Sequence, residues 1–554
     1  MPLLALLLAG CACLWLGYAF YGSFLRRVFE LSDGTPTPAH TFRDNKDFVP
    51  ANRWYLLGQH LSAIAAAGPI VGPILAGMWF GWLPTLAWLV IGGVFIGGVH
   101  DMASVAASIR HKGRSIAEII RAHMSRRAYV LFLLFLWFSI VYIIIAFTDI
   151  TASTFTDTIR GPAVASSSML YLGLALIMGI VLKTTRLPLG MATALFLPLV
   201  FVCIWLGGHI PLAIPVIPGI DARTTWDIVL LAYCFIAAVI PVWLLLQPRG
   251  YLGGFFLAST AGLSIAGIAI GAFLNRWQVQ FPAFTRWTNP GGLPLFPLLF
   301  TTVACGACSG FHSIVASGTT SKQLNRESDA LMVGFGGMLL ESVVAMIALA
   351  TLVILARPQA LKLGDPNQIY AQGIASFLDT IGISYEFAFN FALLAFATFV
   401  YDTLDVATRL GRYIFQELTG LKSKMGIVLS TLATLLLPAL CVTTKTRDAT
   451  GAVIPAWKVF WTVFGSSNQL LAAMTLLGLS VWLYRKKRAY QVTLIPAVFM
   501  TLVAILSLAL ILKPWFIKRA GGAEPLVLTS IVLLVLSALL IAESAAVIIK
   551  HRRA

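Results

Sequence analysis

Long apolar runs follow one another along almost the whole chain, separated by short polar or basic stretches. A helix needs about 20 mainly apolar residues to cross the roughly 30 Å hydrocarbon core of a bilayer, so runs of this length read as membrane spans. About 15 can be drawn. Their approximate limits are 2–24, 61–80, 83–108, 128–148, 164–182, 188–208, 226–246, 250–274, 294–320, 330–356, 386–406, 425–442, 457–484, 491–512 and 525–549. The pattern predicts an all-α polytopic membrane protein of about 15 transmembrane helices. The longest interruptions, 25–60 and 357–385, offer no soluble domain. An odd number of spans places the termini on opposite sides.

Composition supports this class. Of 554 residues, 59% are hydrophobic and 11% charged, against about 25% charged in soluble domains. A formal net charge of +17 invites a nucleic-acid partner. Lys and Arg gather in the cytoplasmic loops of membrane proteins, which accounts for the charge with no nucleic acid. If the basic stretch 110–127 is cytoplasmic, alternation puts "KTTR", "QPRG", "SKQLNR", "YRKKR" and the terminal "KHRRA" on the same side. The N-terminus is then expected outside and the C-terminus in the cytoplasm. "MPLLALLLAGCACLWLGYAF" has no basic segment ahead of it and reads as a first span, not a cleaved signal. Cys11, Cys13, Cys203, Cys234 and Cys441 lie in apolar segments, where Cys acts as a small buried hydrophobe. No GxxxxGK[ST] loop occurs, so any transport would draw on a gradient or on another subunit.

Two spans carry helix-breaking residues. In "QHLSAIAAAGPIVGPILAGMWF" the pairs Gly68-Pro69 and Gly72-Pro73 fall mid-span. Each Pro removes a donor and clashes with the preceding turn, so unwinding is expected there. In "TTVACGACSGFHSIVASGTTSK" Gly306, Gly310 and Gly318 weaken the helix, while Ser309, Ser313, Ser317, Thr319 and Thr320 can satisfy freed backbone. Gly306 and Gly310 also make a small-residue face for close packing. Two interrupted spans in corresponding places of two halves point to a transporter binding site. They are the second and ninth spans, so they run in opposite directions, as an inverted repeat requires.

Ionisable residues at membrane depth are functional candidates. His100 and Asp101 follow a Gly-rich run, Glu341 lies mid-span, and Asp402 and Asp405 share a helical face. Arg409 stands four residues after Asp405, which suggests an internal Asp405–Arg409 pair and leaves Asp402 without a local partner. His312, inside the second break, suits substrate or proton contact. Asn468 and Gln469 offer amides that hold substrate or lock helices. Cys305 and Cys308 form CxxC, with His312 four residues on. With His60, His100 or Asp402 these side chains could hold Zn or another transition metal. Packing is the alternative, and no cofactor is required.

"GPIVGP", "GGVHDMASVAASIRHKGRS", "PVWLLLQPRGYL", "ACGACSGFHSIVASGTTSK", "GGMLLES", "LDVATR" and "FGSSNQLLAAM" occur in order from about residue 55 to 475. Together they resemble the carbon starvation protein A family of bacterial peptide and pyruvate transporters. The resemblance implies membership of the amino acid–polyamine–organocation superfamily, with a LeuT-like inverted-repeat core. It divides one membrane domain into a first span and cytoplasmic loop (1–54), a transport core (55–484) and peripheral C-terminal helices (485–554). It further implies a multi-pass protein of the bacterial inner membrane.

The expected function is secondary active import of a peptide, pyruvate or an amino acid during carbon starvation, coupled to H+ or Na+ by alternating access. Half-helix N-termini point N–H groups at anions, and these substrates carry a carboxylate. The expected substrate-binding residues are Gly68, Pro69, Gly72, Pro73, Gly306, Ser309, Gly310, Phe311, His312 and Ser313. Ion coupling is assigned to Glu341, Asp402, Asp405, His100, Asp101, Asn468 and Gln469. One alternative is an intramembrane hydrolase using Ser309 and His312, although no GxSxG elbow is present. The other is a metal-containing protein built around Cys305 and Cys308.

Overall fold

A bilayer offers no water to backbone N–H and C=O groups, so the apolar runs fold as helices, which satisfy those groups internally. The computed structural model describes residues 2–44, 48–65, 67–157, 160–185, 187–214, 220–241, 243–421, 423–444, 446–447, 453–518 and 524–553. "KTTR" and "KHRRA" lie partly outside these residues.

The principal helices are α1 (Leu3–Val28), α2 (Arg53–Ile64), α3 (Gly68–Phe80), α4 (Trp82–Arg110), α5 (Arg126–Phe155), α6 (Gly161–Thr184), α7 (Leu189–His209), α8 (Ala222–Val239) and α9 (Leu246–Phe273). Next come three short helices, α10 (Leu295–Thr302), α11 (Ala304–Ala307) and α12 (Phe311–Gly318). The series ends with α13 (Leu331–Val353), α14 (Pro366–Thr380), α15 (Tyr385–Thr419), α16 (Lys424–Thr443), α17 (Ala456–Arg485), α18 (Gln491–Lys518) and α19 (Glu524–Arg553). A two-residue antiparallel pairing joins Thr446–Arg447 to Val453–Ile454.

Among the described residues, 12 helices are long and apolar enough to cross a membrane, and the bent α2–α3 pair makes up to 13. Two expected spans differ in kind. The 294–320 stretch is divided among α10, α11 and α12, none longer than eight residues. Helix α17 has 30 residues, but "GSSNQ" makes its middle polar. The 357–385 interruption contains α14, a largely buried helix of 15 residues.

The chain forms two compact units. The first comprises Met1–Leu4, Ile140–Phe281 and Ala350–Trp461; the second comprises Ala5–Ser139, Pro282–Leu349 and Thr462–Ala554. In the first unit α8 packs on α15 and α16, and α9 packs on α14 and α15. In the second, α11 packs on α3, α12 on α2 and α4, and α10 on α18.

Both breaks lie in the second unit. The first is a 54° bend between α2 and α3. It falls just ahead of the doubled Gly-Pro motif, not within it. Ala65 leaves helical geometry at ψ 73°, and Pro69 sits in the first turn of α3. A Pro costs little there, because first-turn N–H groups have no intrahelical partner anyway. Gly68–Phe80 is therefore helical despite Pro73, and this corrects the expected unwinding at Gly72-Pro73. The second break has two steps, at Val303 and at Cys308–Gly310. The residue facing Gly68 is Cys305, while Thr302 faces Gly72. Numbering rises along α3 as it falls along α10–α11, so the two segments run in opposite directions.

Candidate functional site

The second break brings polar side chains together in the second unit. Helix α4 makes a π-turn at Gly93–Gly97 and resumes regular geometry with His100 and Asp101 in the next turn. Such wide turns often re-aim side chains at functional sites. Helix α13 likewise starts with a π-turn, Leu331–Phe335, and carries Glu341. His312 lies in the first turn of α12. His60, His100, Asp101, His312 and Glu341 are all at most 1% exposed.

Asp101 is the hub. Its Oδ1 lies 2.7 Å from His100 Nδ1, and its Oδ2 lies 2.8 Å from His312 Nδ1. An ionised carboxylate only accepts hydrogen bonds, so both Nδ1 atoms carry protons. The other side of the His312 ring then decides the chemistry. Its Nε2 lies 3.2 Å from Glu341 Oε2. The two atoms stand at ion-pair distance without the alignment of a hydrogen bond, and a proton on the imidazole beside an ionised Glu341, or on a neutral Glu341 beside a neutral ring, would close the contact. Asp101, His312 and Glu341 thus form a carboxylate–imidazole–carboxylate chain that can take up and pass one proton. His60 Nδ1 bonds Thr320 Oγ1 at 2.8 Å. Among the described residues, the buried Nε2 atoms of His60 and His100 have no hydrogen-bond partner.

Asn468, on α17, holds the second break. Its backbone carbonyl accepts from Gly310 N at 3.1 Å, and its Oδ1 accepts from Phe311 N at 3.2 Å. Ser309 Oγ also donates to Oδ1, at 3.2 Å. The amide Nδ2 reaches Ser309 Oγ at 3.0 Å and Cys305 Sγ at 3.4 Å. The approach requires glycine at 310, where an added Cβ would lie 2.5 Å from Asn468 O and Ala472 N. Gln469 Nε2 donates to Phe300 O, and Ser342 Oγ donates to Gly306 O at 2.9 Å. The freed backbone is satisfied largely by Asn468, Gln469 and Ser342; of the hydroxyls expected to do so, Ser313 donates to Gly310 O at 2.7 Å, whereas Ser309 bonds the Asn468 side chain and Thr320 bonds His60. The N–H groups expected to face a substrate anion are already taken. Those of His312 and Ser313 bond Ser309 O and Gly310 O, each at 3.2 Å.

Ser309 engages Asn468, while both nitrogens of His312 face carboxylates. A Ser309–His312 dyad is not formed, which corrects the hydrolase alternative. Cys305 and Cys308 are buried. Among the described residues no group of three or more His, Cys, Asp or Glu is placed to hold a metal ion.

Asp402 and Asp405 belong to the first unit, in a separate network. Asp402 Oδ1 lies 2.7 Å from Arg249 Nη2, and Arg249 Nη1 pairs with Asp405 Oδ2. Tyr233 OH donates to Asp405 at 2.8 Å, and Tyr171 OH donates to Arg249 O at 2.7 Å. The expected Asp405–Arg409 pair is therefore absent, and Asp402 does have a partner. Arg409 instead donates to Ala237 O and Ile240 O, at 2.5 and 2.7 Å. Arg412 donates to Ala238 O at 2.6 Å. Carbonyls at a helix C-terminus carry partial negative charge, and both guanidiniums cap α8 there. Arg249 was hidden by its setting in "QPRG", which reads as a loop. The structure starts α9 at Leu246 and leaves Arg249 1% exposed. The signal available was a single cation beside a long apolar run.

The family model "Carbon starvation protein CstA" matches residues 3–369 and 359–507. "Peptide transporter CstA" of Bacillus subtilis is 32% identical over 90% of this chain and 89% of its own length. The same-named protein of Campylobacter jejuni is 34% identical over 89% of this chain and 78% of its own. "Pyruvate/proton symporter BtsT" of Escherichia coli is 30% identical over 89% of this chain and 79% of its own. Among solved structures, an Eremococcus coleocola manganese transporter superposes at a TM-score of 0.48 with 13% identity, covering 92% of this chain and 99% of that one. MhsT in complex with L-phenylalanine superposes at 0.47 with 12% identity, covering 83% and 98%. Such loose superpositions carry no mechanism across. On the family match and on identities of 30% and above across most of its length, the chain belongs to the carbon starvation protein CstA family.

Proposed function

We propose that the chain is a proton-coupled secondary transporter that imports a small carboxylate-bearing nutrient, pyruvate or a peptide, by alternating access. The supporting observation is the buried Asp101–His312–Glu341 chain, in which the imidazole of His312 stands between two carboxylates. Intramembrane ionisable groups arranged in this way are the usual parts of proton relays. The relatives named as a pyruvate/proton symporter and as peptide transporters favour the same reading. Proton coupling is favoured over Na+, because each contact in the chain runs through an imidazole nitrogen.

A substrate carboxylate seated at Gly310–Ser313 has to replace Asn468 Oδ1 as the acceptor for Phe311 N–H. In this reading the protein lies in the bacterial inner membrane, N-terminus outside and C-terminus inside. Purified protein in proteoliposomes provides the test. Adding pyruvate or a dipeptide should drive proton entry, reported by a trapped pH-sensitive dye, and a pH gradient should concentrate labelled substrate. Uptake that ignores the gradient would exclude symport.

A further inference from the structure

A second set of buried carboxylates lies in the first unit, away from the Arg249 network. Asp149 is near the C-terminal end of α5, and Asp227 is in the second turn of α8. They are 1% and 0% exposed. Asp149 is partnered: its Oδ2 accepts from Trp457 N at 2.7 Å, and its Oδ1 lies 3.7 Å from Arg223 Nε. Asp227 is not. Among the described residues neither of its carboxyl oxygens has a hydrogen-bond partner.

The charges facing Asp227 are Asp149, Arg223 and Asp221. Arg223 precedes Asp227 by one helical turn, so the two share a face of α8. Its guanidinium is turned to Asp149 and to Ser153 Oγ, the latter at 2.8 Å. Lys458, which also faces Asp149, is paired with Asp365 at 2.7 Å. Helix α15 packs along α8, but its charges meet α8 further on: Asp405 at Tyr233, Arg409 and Arg412 at Ala237–Ile240. The one cation acting on Asp227, Arg223, is thus engaged with Asp149.

A buried carboxylate with no donor to either oxygen is costly as an ion. Such a group takes up a neutralising partner. We propose that Asp149 and Asp227 form a proton-binding site, in which Asp227 takes a proton from solvent water and holds it as a carboxylic acid beside ionised Asp149. This site is additional to the Asp101–His312–Glu341 chain and does not depend on the transport reading.

Infrared spectroscopy of the purified full-length protein, without substrate, tests it directly. At neutral pH the wild type should show carboxylic-acid C=O stretching intensity that Asp227→Asn lacks by one carboxyl. Asp227→Asn introduced into Glu341→Gln should remove the same one-carboxyl intensity, which separates the Asp227 proton from any proton held on Glu341. Arg223→Gln removes the shared cation, so its band should grow, and this keeps the test decisive if Asp227→Asn does not fold. An Asp227→Asn spectrum equal to wild type would overturn the proposal. So would a band that vanishes from wild type on adding NaCl together with Na+-dependent thermal stabilisation, which would mark a sodium site.

Discussion

His312 and Glu341 face each other at 3.2 Å through Nε2 and Oε2, while Asp101 holds the opposite ring nitrogen of His312 at 2.8 Å. Glu341→Gln keeps the shape and removes the proton acceptor. Proton-driven accumulation of labelled substrate in proteoliposomes should fall at least about tenfold, equivalent to about 1.4 kcal/mol. Substrate counterflow, which needs no net proton movement, should fall much less. His312→Ala should abolish both. Normal accumulation by both variants would remove this chain from the coupling mechanism.

Asn468→Ala strips the acceptor from Phe311 N and the partner from Ser309. Loss of a helix cap costs about 0.5–2 kcal/mol, so the melting temperature in detergent should drop by a few degrees. Asn468→Asp keeps Oδ1 as a cap but loses the donor to Ser309 and Cys305, and should fall between the two. Equal melting of all three proteins would show that the cap contributes nothing.

Arg249→Met takes from Asp402, which is 13% exposed, and from fully buried Asp405 the guanidinium that pairs with both. Removing one partner of a buried ion pair costs about 3–5 kcal/mol, enough to threaten expression. Arg249→Met combined with Asp402→Asn and Asp405→Asn removes the uncompensated charge and should restore much of the loss. The yield of monodisperse protein and thermal unfolding report both effects. A triple variant no better than the single one would mean that Arg249 acts through packing alone.

His111 Nε2 and His123 Nε2 lie 2.7 Å apart, so one ring donates and the other accepts, and both cannot be charged. Burial, then His111, Arg485 and Lys486, hold His123 down to about 4. Burial and the nearby Lys486 and Arg114 also hold His111 below its ordinary 6.5. Below about 6.5 the unfolded chain binds more protons than the folded one, so stability falls as pH drops from about 6.5 towards 4. Melting temperature against pH should show this decline, and His123→Asn should flatten it. Parallel curves for both proteins would place the acid sensitivity elsewhere.

The class of fold was readable because hydropathy acts over whole spans and a bilayer punishes every exception. The second break was readable too, since its glycines and hydroxyls are costly anywhere else. Less visible was where the first break falls. A Pro in the first turn of a helix and a Pro in its middle look alike in a string of letters, and only the α3 start at Gly68 tells them apart. Partners across the fold were hidden for a different reason. Asp405 has Arg409 one turn away, and local spacing favours that pair. The fold instead offers Arg409 the carbonyls at the end of α8 and gives Asp405 to Arg249, 156 residues earlier in number. Glu341 and His312 were conspicuous singly, but nothing in their spacing announced that Asp101 would complete the chain.

Each N–H from Gly310 to Ser313 already has an acceptor within the protein. The consequence concerns hydration. A broken helix in a membrane usually needs solvent to quiet its exposed donors, and that solvent has to enter and leave with every cycle. Here the donors are quieted by Asn468 and by the turn itself. The backbone at this break therefore asks nothing of solvent, and any water that enters is left to the side chains, among them the unpartnered Nε2 atoms of His60 and His100.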